Sequence, residues 1–126
     1  MTHVSALLGR ARRQHPWEEI ALLEKAPNVR VQALLDRFGA ALEAGRIDEA
    51  VAMFADDCYW RDLVAFTWNI KTVEGHGQLR DMLQSQLPLI KPTNWLVAPG
   101  EVATEADGVT ESWICFETEV ARGYGI

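Results

Sequence analysis

Apolar side chains recur every three or four positions in residues 28–45, at Val31, Leu34, Leu35, Phe38, Ala41 and Leu42. This spacing gathers them on one face and predicts a helix. Asn28 is a predicted N-cap, and Gly45 is the predicted terminator. A short second helix is predicted from Ile47 to near Asp56 because its first turn carries acidic residues, which the positive end of the helix dipole favours.

The period changes from helical to alternating in residues 58–63. Cys58, Trp60 and Asp62 fall on one face of a predicted strand, while Tyr59, Arg61 and Leu63 fall on the other. Residues 66–70 form the next predicted strand. A third predicted helix carries Leu79, Met82, Leu83 and Leu87 at helical spacing and ends at Pro88.

Two long strand-like segments follow, at residues 95–104 and 109–120. They are joined by Asp107 and Gly108, a dipeptide that favours a tight hairpin turn. The element order is helix, helix, strand, strand, helix, hairpin, which predicts an α+β fold.

Length and charge restrict the remaining choices. The chain has 126 residues and a formal net charge of -6, which predicts a single domain and argues against a nucleic-acid partner. Residues 28–126 form the predicted domain, and residues 1–27 a helical accessory segment. The sequence shows neither a membrane-span pattern nor a secretory signal, which favours the cytoplasm and no membrane partner.

Two cysteines, Cys58 and Cys115, lie in apolar, strand-like surroundings. There is no C-x-x-C motif and no histidine nearby in sequence. We expect reduced core thiols and no metal site.

The motif RFGAALEAGRID at residues 37–48, followed by MFADD at 53–57, resembles the opening of domains of the ketosteroid isomerase and nuclear transport factor 2-like superfamily, also called SnoaL-like. The likeness covers residues 29–120. It implies a cystatin-like cone, in which a curved, mixed or antiparallel sheet packs on three helices.

A narrower resemblance rests on residues 58–72, CYWRDLVAFTWNIKT, with Gly75 soon after. This stretch looks like the domain that precedes a flavin-dependent monooxygenase-type oxidoreductase. The chain contains no G-x-G-x-x-G motif. The resemblance therefore implies that FAD or NADP would be bound only by a fused or partner domain, and that this chain holds no cofactor of its own.

The superfamily's cone usually closes with further strands after the hairpin, whereas this sequence ends at Ile126. The resemblance therefore implies a cone that lacks its last strands. We expect a homodimer to cover the exposed sheet edge.

Asp62 is the candidate catalytic residue, because the resemblance places it where ketosteroid isomerases keep their proton-shuttling aspartate. A general base must lie near the carbon that loses the proton. An ion pair with Arg61 or another arginine is the alternative. Phe38 stands where those isomerases carry an oxyanion-binding tyrosine, and it has no donor, which argues against steroid isomerisation.

Five tryptophans occur in this short chain, and most lie on predicted strands. They are either ordinary core residues or the walls of a pocket for a planar apolar molecule. The predicted pocket residues are Phe38, Trp60, Trp68, Trp113 and Cys58.

These patterns leave three functional hypotheses. The leading one is an accessory domain of a flavin-dependent oxidoreductase that binds an apolar or aromatic small molecule and dimerises. The alternative is a small isomerase, dehydratase or polyketide-cyclase-like enzyme that uses Asp62 as general base. A third is a protein-interaction module, which requires an exposed apolar surface.

Overall fold

The computed structural model describes residues 5–6, 26–63, 65–67 and 69–126. In this part the chain is a mixed α+β structure with three helices and antiparallel sheets that do not close into a barrel. The helices are α1 (Pro27–Glu43), α2 (Ile47–Ala52) and α3 (Gly75–Ile90). Most of the predicted accessory segment 1–27 lies outside the described residues.

The strands form three separate antiparallel sheets. The first has the order β1-β2-β3, from β1 (Ser5–Ala6), β2 (Tyr59–Leu63) and β3 (Ile70–Glu74). The second has the order β4-β7-β8, from β4 (Thr93–Val97), β7 (Ile114–Glu117) and β8 (Arg122–Gly125). The third is the hairpin of β5 (Thr104–Ala106) and β6 (Val109–Glu111).

Helix α1 starts two residues earlier than a helix capped by Asn28 would. Pro27 occupies the first turn after Ala26, so the prediction of Asn28 as N-cap was wrong. Proline is favoured here because it needs no N–H partner and its φ already suits a helix. The helix ends as predicted, because Gly45 has a φ of 72° and takes the left-handed conformation.

Two amide side chains of α1 bond to the segment that begins with β4. Gln32 donates from Nε2 to the Trp95 carbonyl (3.0 Å) and accepts from the Val97 N–H through Oε1 (2.9 Å). One turn earlier, Asn28 accepts from the Ala103 N–H (2.6 Å). These bonds replace the backbone partners that an edge strand lacks, and they hold α1 against the second sheet.

The second predicted strand, residues 66–70, was misplaced: β3 runs from Ile70 to Glu74 and pairs antiparallel with β2. Phe66 and Thr67 lie instead in a bend. Their N–H groups point at the Asp62 carboxylate, so they do not pair with a neighbouring strand. A buried acidic side chain has overridden a strand-like sequence here.

Helix α3 does not end at Pro88, as the sequence predicted, but continues through it to Ile90. Proline removes one backbone hydrogen bond of the final turn. The terminus is closed by Lys91, with a φ of 49°, and the Glu119 N–H donates to the Ile90 carbonyl at 3.1 Å.

The predicted hairpin turn at Asp107 and Gly108 is confirmed, with φ of 52° and 75°. The two long strands around it are each divided. Residues 98–103 separate β4 from β5, and Ser112 with Trp113 separates β6 from β7.

The core lies between α1, α2, α3 and the inner faces of the first two sheets. Trp60, Phe66, Phe116, Leu35, Leu79 and Leu83 are its largest fully buried apolar side chains. Among the described helices, none has the length and apolar character needed to cross a membrane.

Candidate functional site

Asp62 is fully buried, with 0% of its surface exposed. It lies on β2 on the same side as Trp60, as the alternation predicted. Its carboxylate accepts hydrogen bonds from the Phe66 N–H (3.1 Å to each oxygen), the Thr67 N–H (2.8 Å) and the Thr67 hydroxyl (2.8 Å). The carboxylate thus organises the bend at residues 65–67.

These hydrogen bonds compensate the charge of a carboxylate that has been removed from water. Within the described residues, no lysine or arginine forms an ion pair with Asp62. The predicted partner Arg61 is exposed on the opposite face of β2. The Asp62 carboxylate therefore holds the bend at residues 65–67 in place, and both of its oxygens already accept hydrogen bonds from Phe66 or Thr67.

Lys71 is the direct cross-strand partner of Asp62 in the antiparallel pairing of β2 with β3. Residues directly opposite each other point to the same face of a sheet. Lys71 is nevertheless exposed, and it lines a groove that also includes Thr67.

Phe38 and Trp60, two of the predicted pocket residues, belong to one group of packed rings, here called the aromatic cluster: Phe38, Phe54, Trp60, Phe66, Trp95 and Phe116. Phe38 lies edge-on to Trp95 at 5.3 Å between centroids, and Trp60 lies edge-on to Phe66 at 4.9 Å. Trp95 stacks on Phe116 at 4.4 Å. Edge-on and offset contacts of this kind are the favoured geometries of aromatic pairs.

Two polar atoms inside the aromatic cluster lack a partner among the described residues. These are the indole nitrogens Nε1 of Trp60 and Trp95, both fully buried. A buried N–H without an acceptor costs about 1–3 kcal/mol. The cluster therefore holds two donors that an oxygen acceptor would satisfy.

Cys58 is buried in the same core, whereas Trp113 and Cys115 lie elsewhere. Burial raises the pKa of the Cys58 thiol, against the lowering effect of the Gly75 N–H. Trp113 stacks on Tyr124 at 5.0 Å. The structure therefore brings Phe38, Trp60 and Cys58 into one core and does not add Trp113 to it.

The outer face of the second sheet carries a row of partly exposed side chains. Leu96 pairs with Cys115, and Cys115 pairs with Tyr124. They alternate with Trp95, Phe116 and Gly123, which face the core. Trp68, the remaining predicted pocket residue, lies outside the described residues.

A groove of about 550 Å³ opens between the bend at Thr67, strand β3 and helix α3. Val73 and Met82, both buried, form its apolar part. Its polar lining consists of Thr67, Asn69, Lys71, Gln78, Asp81, Ser85 and Gln86. Over the described ranges, no three His, Cys, Asp or Glu side chains are grouped as metal ligands.

The sequence patterns assigned neither Phe66 and Trp95 to the aromatic cluster nor Thr67 to the groove. Trp95 shares the alternation of β4 with Val97 and could have been assigned to the core face. Thr67 follows Asp62 by five residues, a separation that carries no standard turn signature.

Compared with known proteins, the chain matches no family model and no curated protein. The resemblance to ketosteroid isomerase-like domains therefore depends on the sequence motifs alone, and it stays a prediction. The geometry of the described residues must carry the functional argument.

Proposed function

We propose that this chain is an accessory domain that binds an apolar or aromatic small molecule and dimerises, and that has no catalytic activity of its own. Its fold would be the cone of the nuclear transport factor 2-like superfamily. Any flavin-dependent oxidation would take place in a fused or partner domain that holds FAD or NADP. The two unpartnered indole N–H groups in the aromatic cluster carry this proposal.

The ligand would bind at the aromatic cluster by separating rings that pack against one another in the free protein. Once separated, those rings would offer both faces and edges to a planar guest. Trp60 and Trp95 contribute a buried donor each, so the preferred guest carries a carbonyl or ether oxygen. Binding would recover the free energy that each unpaired N–H costs.

The surroundings of Asp62 support a role without catalysis. A general base must reach the proton that it removes. Asp62 is fully buried and its oxygens already accept bonds from Phe66 and Thr67. Phe38 provides no donor for a developing enolate. The isomerase, dehydratase or polyketide-cyclase alternative is therefore the less favoured hypothesis.

The binding test follows the indole N–H resonances in two-dimensional ¹⁵N NMR spectra. Trp60→Phe and Trp95→Phe variants assign the two signals. A planar aromatic ketone should shift both signals downfield in a saturable way, because a new hydrogen bond deshields the proton. An aromatic hydrocarbon of the same size is the matched ligand, and it should enter with weaker affinity and a smaller shift.

Two results would contradict the proposal. One is a set of indole signals that no ligand moves. The other is an already hydrogen-bonded position of both signals in the free protein, which would mean that water satisfies the donors. Turnover of a ketone that disappears in an Asp62→Asn variant with a native-like spectrum would favour the enzyme instead.

The outer row of the second sheet is the proposed dimer face. Leu96 is 38% exposed and lies beside Cys115 and Tyr124. Light scattering should report a dimer for the native chain and a monomer for Leu96→Lys. Leu89→Lys is the control, because Leu89 is 66% exposed on α3 and its replacement should leave the dimer intact. A native monomer would rule out this face.

A cytoplasmic location completes the proposal. Cys58 and Cys115 are both free thiols, which suits a reducing compartment. Burial is the main cause that raises the pKa of each thiol. Because the thiolate is the form that reacts with oxidants, a raised pKa makes both thiols slower to oxidise.

A further inference from the structure

The groove between β3 and α3 lies outside the aromatic cluster. Its volume of about 550 Å³ falls in the range of small-molecule sites. The α3 residues that line it, Gln78, Asp81, Met82, Ser85 and Gln86, follow helical spacing along one stripe of the helix.

We propose that this groove binds a small hydroxylated carboxylate, a molecule of the sugar-acid class. The proposal depends on the groove's charges and donors, and not on the aromatic cluster. It therefore stands or falls separately from the proposed function.

Lys71 supplies the positive charge for the carboxylate. It is exposed and forms no ion pair within the described residues. Its cross-strand neighbour Asp62 has its oxygens bound by Phe66 and Thr67 instead. The ammonium group of Lys71 is thus left for a ligand.

Asp81 and the amides suit hydroxyl groups. A carboxylate accepts hydrogen bonds from ligand O–H groups, and it repels a second anion. Gln78 uses its Oε1 to accept the Glu74 N–H at 2.9 Å, which leaves its Nε2 as a donor. A lining with one lysine and one aspartate therefore favours a single negative charge with several hydroxyls, and disfavours a phosphate dianion.

The wall at Thr67 and Asn69 is held in advance of binding. The Thr67 hydroxyl contacts both the Asp62 carboxylate (2.8 Å) and the Asn69 carbonyl (3.0 Å). Asn69 Nδ2 donates to the Thr67 carbonyl at 3.0 Å. Val73 and Met82 offer apolar surface to the C–H face of a sugar ring. A preorganised wall reduces the entropy lost on binding.

The test is a ¹⁵N NMR titration of the full chain with D-glucuronate, and with D-glucose as the neutral counterpart. Glucuronate should shift the backbone amides of β3 and α3 that line the groove, with a Kd near or below about 1 mM. Glucose should bind about tenfold more weakly, because it lacks the carboxylate that would pair with the Lys71 ammonium group.

Three variants decide the outcome. Lys71→Gln should remove the preference for glucuronate over glucose. Asp81→Asn should weaken glucose, and it should weaken glucuronate less because the repulsion between the two carboxylates is relieved. Lys91→Gln is the matched control, because Lys91 pairs with Glu119 outside the groove at 3.5 Å, and it should leave both affinities unchanged. The proposal is overturned if neither sugar shifts the groove amides, or if the two lysine variants weaken glucuronate equally.

Discussion

Thr67 binds the same carboxylate oxygen of Asp62 twice, through its backbone N–H and through its hydroxyl, each at 2.8 Å. The bend after β2 thereby closes around a buried negative charge. The same bend lies between the aromatic cluster and the groove, because Phe66 belongs to the aromatic cluster and Thr67 to the groove.

Replacing Asp62 by Ala should strongly destabilise the chain. The change leaves the buried N–H of Phe66 and the half-buried donors of Thr67 without their acceptor, which costs about 3 kcal/mol in the free energy of unfolding. Urea denaturation measures it. The control is Asp57→Ala, at an exposed position, which should change stability by less than about 0.5 kcal/mol. Equal stabilities would show that the buried carboxylate does not hold the bend.

Gln32 should prove important for both stability and association. Gln32→Ala removes the bonds to the Trp95 carbonyl and the Val97 N–H, at a cost of about 1–2 kcal/mol. It also uncovers the edge of β4, so sedimentation should detect larger species. Gln84→Ala, at an exposed position on α3, is the matched change and should produce neither effect. A Gln32→Ala chain that associates like the native one would argue that the edge is covered by other groups.

Gly123 and Gly77 should respond in opposite directions to alanine. A Cβ at Gly123 would overlap the Phe116 ring, so Gly123→Ala should cost about 3 kcal/mol through overpacking. A Cβ at Gly77, inside α3, would have no neighbouring atom within 4 Å. Alanine should therefore stabilise the helix by about 1 kcal/mol. Thermal unfolding compares the two. A neutral Gly123→Ala would mean that the Phe116 ring moves aside freely.

The two thiols should make stability fall in alkali. Burial first, and the Glu117 carboxylate second, raise the pKa of Cys115 above its ordinary value of 9.0; burial also raises the pKa of Cys58. In the unfolded chain these thiols ionise at their ordinary pKa. The unfolded state therefore loses protons first, and the free energy of unfolding falls as the pH rises through and beyond 9.

A Cys58→Ala, Cys115→Ala double variant checks this sign. Above pH 9, its stability should fall less steeply with pH than that of the native chain, although it is less stable near pH 7. Parallel pH profiles would show that the thiols titrate alike in both states. Denaturant unfolding across the pH series gives the comparison.

Local patterns predicted three helices and the hairpin turn, although the start of α1 and the ends of α2, which stops at Ala52 rather than near Asp56, and of α3 were misplaced. The spacing around Phe38, the Gly45 terminator and the Asp107–Gly108 turn each depend on residues close in sequence. The alternation that placed Trp60 and Asp62 on one face of β2 was also confirmed by their burial. Signals of this kind need no knowledge of distant contacts.

The errors arose where a side-chain hydrogen bond, or the tolerance of a helix end, outweighs the local sequence preference. Phe66 and Thr67 have strand-like side chains, but the Asp62 carboxylate draws their N–H groups into a bend. Asn28 looks like an N-cap, yet its side-chain Oδ1 accepts a hydrogen bond from the N–H of Ala103, 75 residues away. Pro88 reads as a helix terminator, although a last turn can lose one backbone bond and persist.

The candidate site was only partly visible in the sequence. Phe38, Trp60 and Asp62 could be proposed from a motif, and the structure places them in or beside one core. The groove could not be proposed, because it combines Lys71 on β3 with a stripe of α3. Their proximity follows from tertiary packing and has no signature in either segment alone.

The β5–β6 hairpin has a practical consequence for work on this protein. All six of its strand residues are exposed, and Glu105, in the middle of β5, pairs with Arg30 of α1, which ties the hairpin to that helix. Its turn at Asp107 and Gly108 contributes no side chain to the aromatic cluster or the groove. A fluorophore or an epitope inserted there would report on the molecule while leaving the aromatic cluster and the groove in their native form.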